Sequence, residues 1–289
     1  MRVHHLNCAT MCPIGGALIS GDGPAKLVCH VLLIETDAHG LVLVDSGFGT
    51  DDVVAMFERH GSFVYLMRPV CDPRETALHQ IEALGFDRAD VRHLVLTHLD
   101  LDHAGGIPDF PDARVHVMRD EHRAAMRPRT LLERRRYSRA HFALDPDFHL
   151  YDARGEAWYG FPCVRGLYGL PPEVLLVPLA GHSRGHAAVA VDTGEGWLLH
   201  CGDAYFYRGE MDADRPSCPQ GLALFQRIVE INGPERVANQ RRLRELARDH
   251  SADVRLFCAH DAEELLARQQ AAAAGRVGGD PVPVADQAP

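Results

Sequence analysis

Residues 97–103 read Thr-His-Leu-Asp-Leu-Asp-His, which crowds His98, Asp100, Asp102 and His103 into six positions. The β-branched run from Val91 to Thr97 leads straight into them, so the cluster stands where a strand ends and a loop begins. Leu99 and Leu101 alternate with the polar residues and anchor the loop while imidazoles and carboxylates converge. Gly105 and Gly106 then permit a tight backbone. A structural loop has little use for four such side chains, whereas a metal ion needs nitrogen and oxygen donors gathered at one point.

The same local character recurs downstream. His182 lies in Gly-His-Ser-Arg-Gly-His after the apolar run Leu175 to Leu179, Asp203 follows Trp197 to Cys201, and His260 follows Val254 to Cys258. Strands that end together at one sheet edge bring such loops together on a rigid scaffold. One histidine at a strand end is more often structural. Repetition of the coincidence through one chain favours a metal site.

The 289 residues and 46% hydrophobic content allow a substantial core. Leu27 to Thr36 and Leu41 to Val44 flank a turn at Asp37 to Gly40 and read as a hairpin. Thr76 to Leu84 reads as a helix stopped by Gly85, and Pro234 opens another that runs to Asp249. Arg114 to Met118 and Val174 to Leu179 read as strands, and Ala187 to Val191 pairs with Trp197 to Cys201 across a Gly-rich turn. This order lacks the regular βαβα alternation of a doubly wound sheet. It predicts two mixed sheets facing each other with helices outside, in one domain over 1–268. A tail over 269–289, rich in Ala, Gly and Pro, is expected to be disordered after a short helical extension.

Residues 119–173 hold a large share of the aromatics, among them Tyr137, Phe142, Phe148, Tyr151, Trp158 and Tyr168. The segment is either a satellite hydrophobic cluster or a lid over a pocket. Within it the run Arg134, Arg135, Arg136 reads first as a solvated helix face and second as a site for an anionic substrate.

A formal charge of −10 argues against a nucleic-acid partner, because such binding draws on Lys and Arg. No run of about 18 apolar residues and no signal-like N-terminus is present, which points away from the membrane and to a cytoplasmic protein. The eight cysteines are scattered through a chain too large to need disulfides. Cys8 and Cys12 have no second pair to complete a zinc finger. Phe63 to Val70 reads either as core or as the contact of a homodimer.

Taken together, the motifs resemble the metallo-β-lactamase superfamily, whose signature is His-x-His-x-Asp-His, then a Gly-His-x-x-Gly-His loop, an Asp after a strand and a last His near the C-terminus. The resemblance runs from Asp45-Ser46-Gly47 to His260. It implies an α+β fold, a four-layer αβ/βα sandwich of two mixed sheets with outer helices. It also implies a dinuclear centre in which His98, Asp100 and His182 hold one divalent ion and Asp102, His103 and His260 the other. Asp203 would bridge them, with Asp45 and His186 behind the ligands.

Asp100 departs from the signature, which has histidine there. The flavo-diiron branch has a carboxylate, Glu, at that place, although this chain lacks their flavodoxin-like extension. Zinc is the expected metal, but a carboxylate is a harder ligand, so iron or manganese stands as an alternative. Its charge would bring the first shell near neutrality, making the metals weaker Lewis acids.

No Gly-x-Ser-x-Gly elbow or phosphate loop competes with water activated by metal. Among branches the chain most resembles the N-acyl-homoserine lactonases, through His103-Ala-Gly-Gly106, Asp203-Ala204 and Cys258-Ala259-His260-Asp261. That implies a small-molecule substrate, a lactone or other small ester. Thioesterase, glyoxalase II-like and phosphoester hydrolase activities stand as alternatives, and a degenerate member that binds metal or a partner without turnover as another class. The lactonases carry a tyrosine where this chain has Phe206. Tyr205 is therefore the candidate catalytic side chain beside Asp102, with Tyr207 as its rival.

Overall fold

The computed structural model describes residues 1–275 apart from Asp22, Pro24 and Arg165. Period-two alternation along the buried strands sets its layers. In β2 (Leu27–Glu35), Val31 and Leu33 face one core while Leu32 and Ile34 face another; in β3 (Leu41–Val44), Leu41 and Leu43 part from Val42 and Val44 in the same way. Strands buried on both faces need covers on both, hence four layers.

One mixed sheet runs in the order β1 (Arg2–Met11), β2, β3, β4 (Val91–Val95), β5 (Arg114–Met118) and β6 (Asp147–Tyr151). Pairing is antiparallel through β1, β2 and β3, then parallel to β6. After a short ribbon of β7 (Ala157–Trp158) and β8 (Phe161–Pro162) comes the second sheet, formed by β9 (Val174–Pro178), β10 (Ala187–Asp192), β11 (Trp197–His200) and β12 (Val254–Phe257). Its spatial order is β12-β11-β10-β9, with only β11 and β12 parallel.

The inter-sheet core joins Leu32, Ile34, Val42, Val44 and Val95 to Val174, Leu176, Val189 and Val191. Helices Ala77–Ala83 and Arg119–Met126 close the outside of the first sheet through Ala77, Ile81 and Ala124. Helix Gly233–Asp249 closes the second through Leu243 and Leu246. Two mixed sheets between outer helices are the architecture expected from the sequence.

Most aromatics of residues 119–173 enter the cores: Tyr137, Phe142 and Phe148 join the first sheet's cluster, and Trp158 and Phe161 the second sheet's. Of the stretch 63–70, Met67 is buried whereas Tyr65, Leu66 and Val70 are exposed. The C-terminal helix runs from Ala262 to Ala274. The rest of the expected disordered tail, from Arg276, lies outside the described residues.

Candidate metal centre

The loops after β4, β9, β11 and β12 meet at one edge of the sandwich. Backbone hydrogen bonds stitch the two sheets there: Ala187 N–H donates to the Thr97 carbonyl at 2.9 Å, and His30 N–H to that of Ala259 at 2.9 Å. The side chains of His98, Asp100, His182 and Asp203 converge, as do those of His103, Asp203 and His260. Asp102 stands beside His260, their nearest atoms 3.7 Å apart. All seven ligand candidates read from the sequence thus share one neighbourhood.

Asp203 belongs to both groups through different oxygens. Its Oδ2 lies 3.4 Å from His182 Nε2 and 3.7 Å from His98 Nε2, while its Oδ1 lies 3.2 Å from His103 Nε2 and 3.1 Å from His260 Nε2. Two donors at ~2.0–2.1 Å from a tetrahedral ion stand about 3.3 Å apart, so the gaps of 3.1 to 3.4 Å have the spacing of donors that share an ion. His98 Nε2, His103 Nε2 and Asp203 Oδ1 are buried with no hydrogen-bond partner. Buried polar atoms are seldom left so, and a cation among them would satisfy all three. The donor set therefore fits divalent metal.

The far side is held in three of the four rings, those of His98, His103 and His260, whereas His182 Nδ1 is buried without a hydrogen-bond partner. Asp45 Oδ2 takes His103 Nδ1 at 2.8 Å, the Val28 carbonyl takes His260 Nδ1 at 2.8 Å, and Thr97 Oγ1 takes His98 Nδ1 at 2.9 Å while donating to Asp45. A proton fixed on Nδ1 leaves the Nε2 lone pair for metal. Asp45 adopts a φ of 58°, a left-handed conformation that Asp tolerates better than most residues. His186 stays behind the cluster: its Nδ1 donates to the Leu179 carbonyl at 3.1 Å and its Nε2 accepts from Asp203 N–H at 2.9 Å.

Charge follows geometry. Burial alone would raise the Asp203 carboxyl, but the imidazoles of His260, His103, His182 and His98 hold it well below its ordinary range. Burial likewise lowers His103, yet Asp203, Asp45 and Asp102 lift it well above its ordinary value. His182 is pulled down to about 4 by burial and by Arg136.

Arg136 is the main departure from the sequence reading, which placed the arginine run on a solvated face. It is buried, and its Nη1 lies 2.9 and 3.2 Å from the two Asp100 oxygens while Nη2 donates to the Val229 carbonyl. The Thr130–Glu133 capping box starts the short helix Leu131–Arg136, and Arg184 of the histidine loop grips Glu133 with two 2.6 Å hydrogen bonds. Packed in this way, the helix must turn Arg136 inward. Thr130-x-x-Glu133 is a legible helix start, but nothing local names Asp100 as the partner.

Glu121 also escaped the sequence reading. It is buried and accepts from Leu99 N–H at 3.1 Å, Ser183 Oγ at 2.6 Å and Gly185 N–H at 3.0 Å, tying the His98 loop to the His182 loop. A Cβ on Gly185 would sit 2.1 Å from the Glu121 backbone nitrogen, which explains that glycine. Cys29, on β2, brings a thiol close to Asp102 and His260. Burial, then Asp102, pushes that thiol well up.

Tyr205 is not brought to the centre. It is fully buried in the second sheet's outer core and donates to Glu264 Oε1 at 3.0 Å. Phe206 instead lines the cavity and stacks on His260, centroids 4.9 Å apart. The turn after β11 carries both Ala204 and Tyr205 into that outer core and leaves Phe206 to face the cavity. Tyr207 is not among the lining residues either.

Above the cluster opens a cavity of about 770 Å³ with Asp100, Asp102, His182, Asp203 and His260 among its lining residues. Met11, Leu27, Leu66, Met67, Phe225 and Val229 supply an apolar wall.

Comparison with known proteins agrees with this geometry. The sequence profile described as the Metallo-beta-lactamase superfamily matches residues 25–260. The probable metallo-hydrolase Rv2300c of Mycobacterium tuberculosis is 46% identical over 261 residues, covering 90% of this chain and 80% of that protein. The N-acyl homoserine lactonase AttM of Agrobacterium fabrum is 37% identical over 130 residues, 44% of this chain and 49% of that one. A crystal structure of an AiiA variant from B. thuringiensis, with N-decanoyl-L-homoserine at its active site, superposes with a TM-score of 0.69. It is 20% identical, and the match covers 92% of this chain and 95% of that one.

Proposed function

The chain belongs to the metallo-β-lactamase superfamily of metal-dependent hydrolases, and from that premise we propose that it cuts a lactone or other small ester, of N-acyl-homoserine lactone type. The observation that carries this is the pair of donor groups sharing Asp203 at the floor of a cavity with an apolar wall. Two bound divalent ions, zinc or with Asp100 iron or manganese, would supply hydroxide at neutral pH and polarise the ester carbonyl.

The protein's own groups do the rest. His98, Asp100 and His182 would hold one ion and Asp102, His103 and His260 the other, with Asp203 common to both groups. Asp45, Thr97 and the Val28 carbonyl keep the imidazoles of His103, His98 and His260 in the tautomer that donates through Nε2. The apolar wall takes the acyl chain and removes it from water, as in most small-molecule sites. Water adds to the acyl carbon, the ring C–O bond breaks, and the departing oxygen takes up a proton. Asp102, facing the cavity beside His260, is the side chain placed to pass that proton.

The substrate is a small molecule, and neither nucleic acid nor membrane enters the proposal; among the described residues no helix is long and apolar enough to cross a membrane. The test pairs elemental analysis with a proton-release assay on N-acyl-homoserine lactones, for the wild type and His103→Ala. Two metals per chain with turnover lost in the variant are expected. Metal-loaded protein that opens no lactone and cleaves no small ester would overturn the proposal, as would protein that retains no metal.

A further inference from the structure

The cavity is not apolar throughout. Helix Met56–His60, helix Leu131–Arg136 and the turn Arg139–Phe142 give it a second wall carrying Arg59, His60, Arg134, Arg135 and Arg139. Apart from Asp100, Asp102 and Asp203, Glu58 is the one acid among its described lining residues. In a chain of net charge −10 such a wall does not follow from composition.

Part of the wall is rigid. Buried Asp52 accepts from Arg59 Nε at 2.8 Å and His60 Nε2 at 2.8 Å through one oxygen, and from His141 Nε2 at 2.8 Å through the other. Arg59 Nη1 also reaches the exposed Asp51 at 3.4 Å. The other part is unspent: Arg134, Arg135 and Arg139 are exposed, and their guanidinium groups make no hydrogen bond or ion pair with any described residue. Glu133, the acid of the helix that carries Arg134 and Arg135, is committed to Arg184. A merely solvated helix face is usually laced with intrahelical pairs. Unpaired arginine forks around one concavity instead suit a carboxylate or phosphate.

We propose that the wall of Arg134, Arg135 and Arg139, backed by the fixed Arg59 and His60, is a subsite for an anionic group on the substrate, remote from the bond that is cut. The occupant is then amphipathic: an ester or lactone at the metal centre, an apolar stem along the apolar wall, and an oxyanion at the arginines. This inference rests on the hydrolase reading above.

Matched para-nitrophenyl esters test it on metal-loaded protein: hexanoate as the neutral case, the mono-ester of adipate and the ester of ω-phosphonooxyhexanoate as the anionic ones. The anionic esters should be preferred in kcat/KM by about tenfold, equivalent to ~1.4 kcal/mol. The ratio should fall toward one between about 0.05 M and about 0.5 M salt, as the screening length shrinks. It should also fall toward one in the combined variant Arg134→Gln, Arg135→Gln, Arg139→Gln, whose folding is checked by thermal melting. Which anionic ester leads distinguishes carboxylate from phosphate. Equal turnover of charged and neutral esters would overturn the subsite and leave the hydrolase reading standing. Should no ester be cleaved, that reading fails, and calorimetry with the free acids decides the subsite. Adipate or ω-phosphonooxyhexanoate binding more tightly than hexanoate, with the difference lost in the combined variant, sustains it. Equal binding overturns it.

Discussion

Arg136→Met, Asp100→Asn and the double variant make a thermodynamic cycle on the pair that most distinguishes this centre. With Nη1 2.9 and 3.2 Å from the carboxylate oxygens, the charge centres stand about 4 Å apart. At an effective dielectric constant near 20 the attraction is about 4 kcal/mol. The Arg136 side chain is 3% exposed and Asp100 15%, so water screens the pair from one side only. Removing one partner of a buried pair costs about 3–5 kcal/mol, largely because the other is stranded.

Each single variant should therefore lose most of that energy, and the double variant clearly less than their sum, with a coupling of about 2–4 kcal/mol. Urea unfolding in the presence of chelator measures it, since metal would otherwise replace the arginine as the cation beside Asp100. Losses that add to within about 0.5 kcal/mol would refute the claim that the two charges depend on each other.

Asp100→His alone sets an arginine against imidazoles and should lose metal on dialysis, whereas Asp100→His with Arg136→Met should keep it; elemental analysis reads both. Asp45→Asn, which tolerates the same left-handed φ, should weaken metal binding about 10–100-fold in competition with a chromophoric chelator, because its single amide oxygen cannot accept from both His103 and Thr97 N–H. Gly185→Ala forces the His182 loop off Glu121 and should destabilise by about 1–3 kcal/mol, seen as a thermal midpoint lowered by several degrees. Burial pushes the Glu264 carboxyl up to about 7, so the fold favours its protonated form, and the stability it contributes at low pH is lost as pH rises from about 4.5 to about 7. Glu264→Gln should gain on the wild type across that window by up to about 3 kcal/mol in urea midpoints, and a constant gap would show the carboxyl is not raised.

What the sequence discloses and what it hides divide along a physical line. His98, His182, Asp203 and His260 could be read because each follows a strand whose apolar run marks its end, and parallel neighbours such as β11 and β12 end together. Helix ends with local signals were equally legible, as at Thr76, whose side chain caps the helix that follows, and at Pro234, one residue inside the start of helix Gly233–Asp249. Tyr205 was misread because past a strand end the period of two no longer says which side chain turns inward. Glu121 and Asp52 were missed because a carboxylate on an amphipathic helix looks like surface until the loops it binds are in place. Both are fully buried, and their partners come from distant loops: Ser183 and Gly185 for Glu121, His141 for Asp52.

Asp100 shows why summing charge over a motif can mislead. Counted within the motif, a carboxylate in place of an imidazole removes a unit of positive charge and predicts weaker Lewis acids. The fold returns that unit through Arg136, 36 residues away in sequence yet within 2.9 Å of the carboxylate. Such compensation requires Arg136 to be positioned as firmly as a ligand, and its Val229 contact and the Glu133–Arg184 clamp on its helix do this. The quantity that sets the chemistry is the charge within a few ångströms, wherever in the chain it originates. Held on Arg136 by two close contacts, Asp100 also keeps less negative charge to give a metal than a free carboxylate would. Its preference for harder ions should be correspondingly blunted.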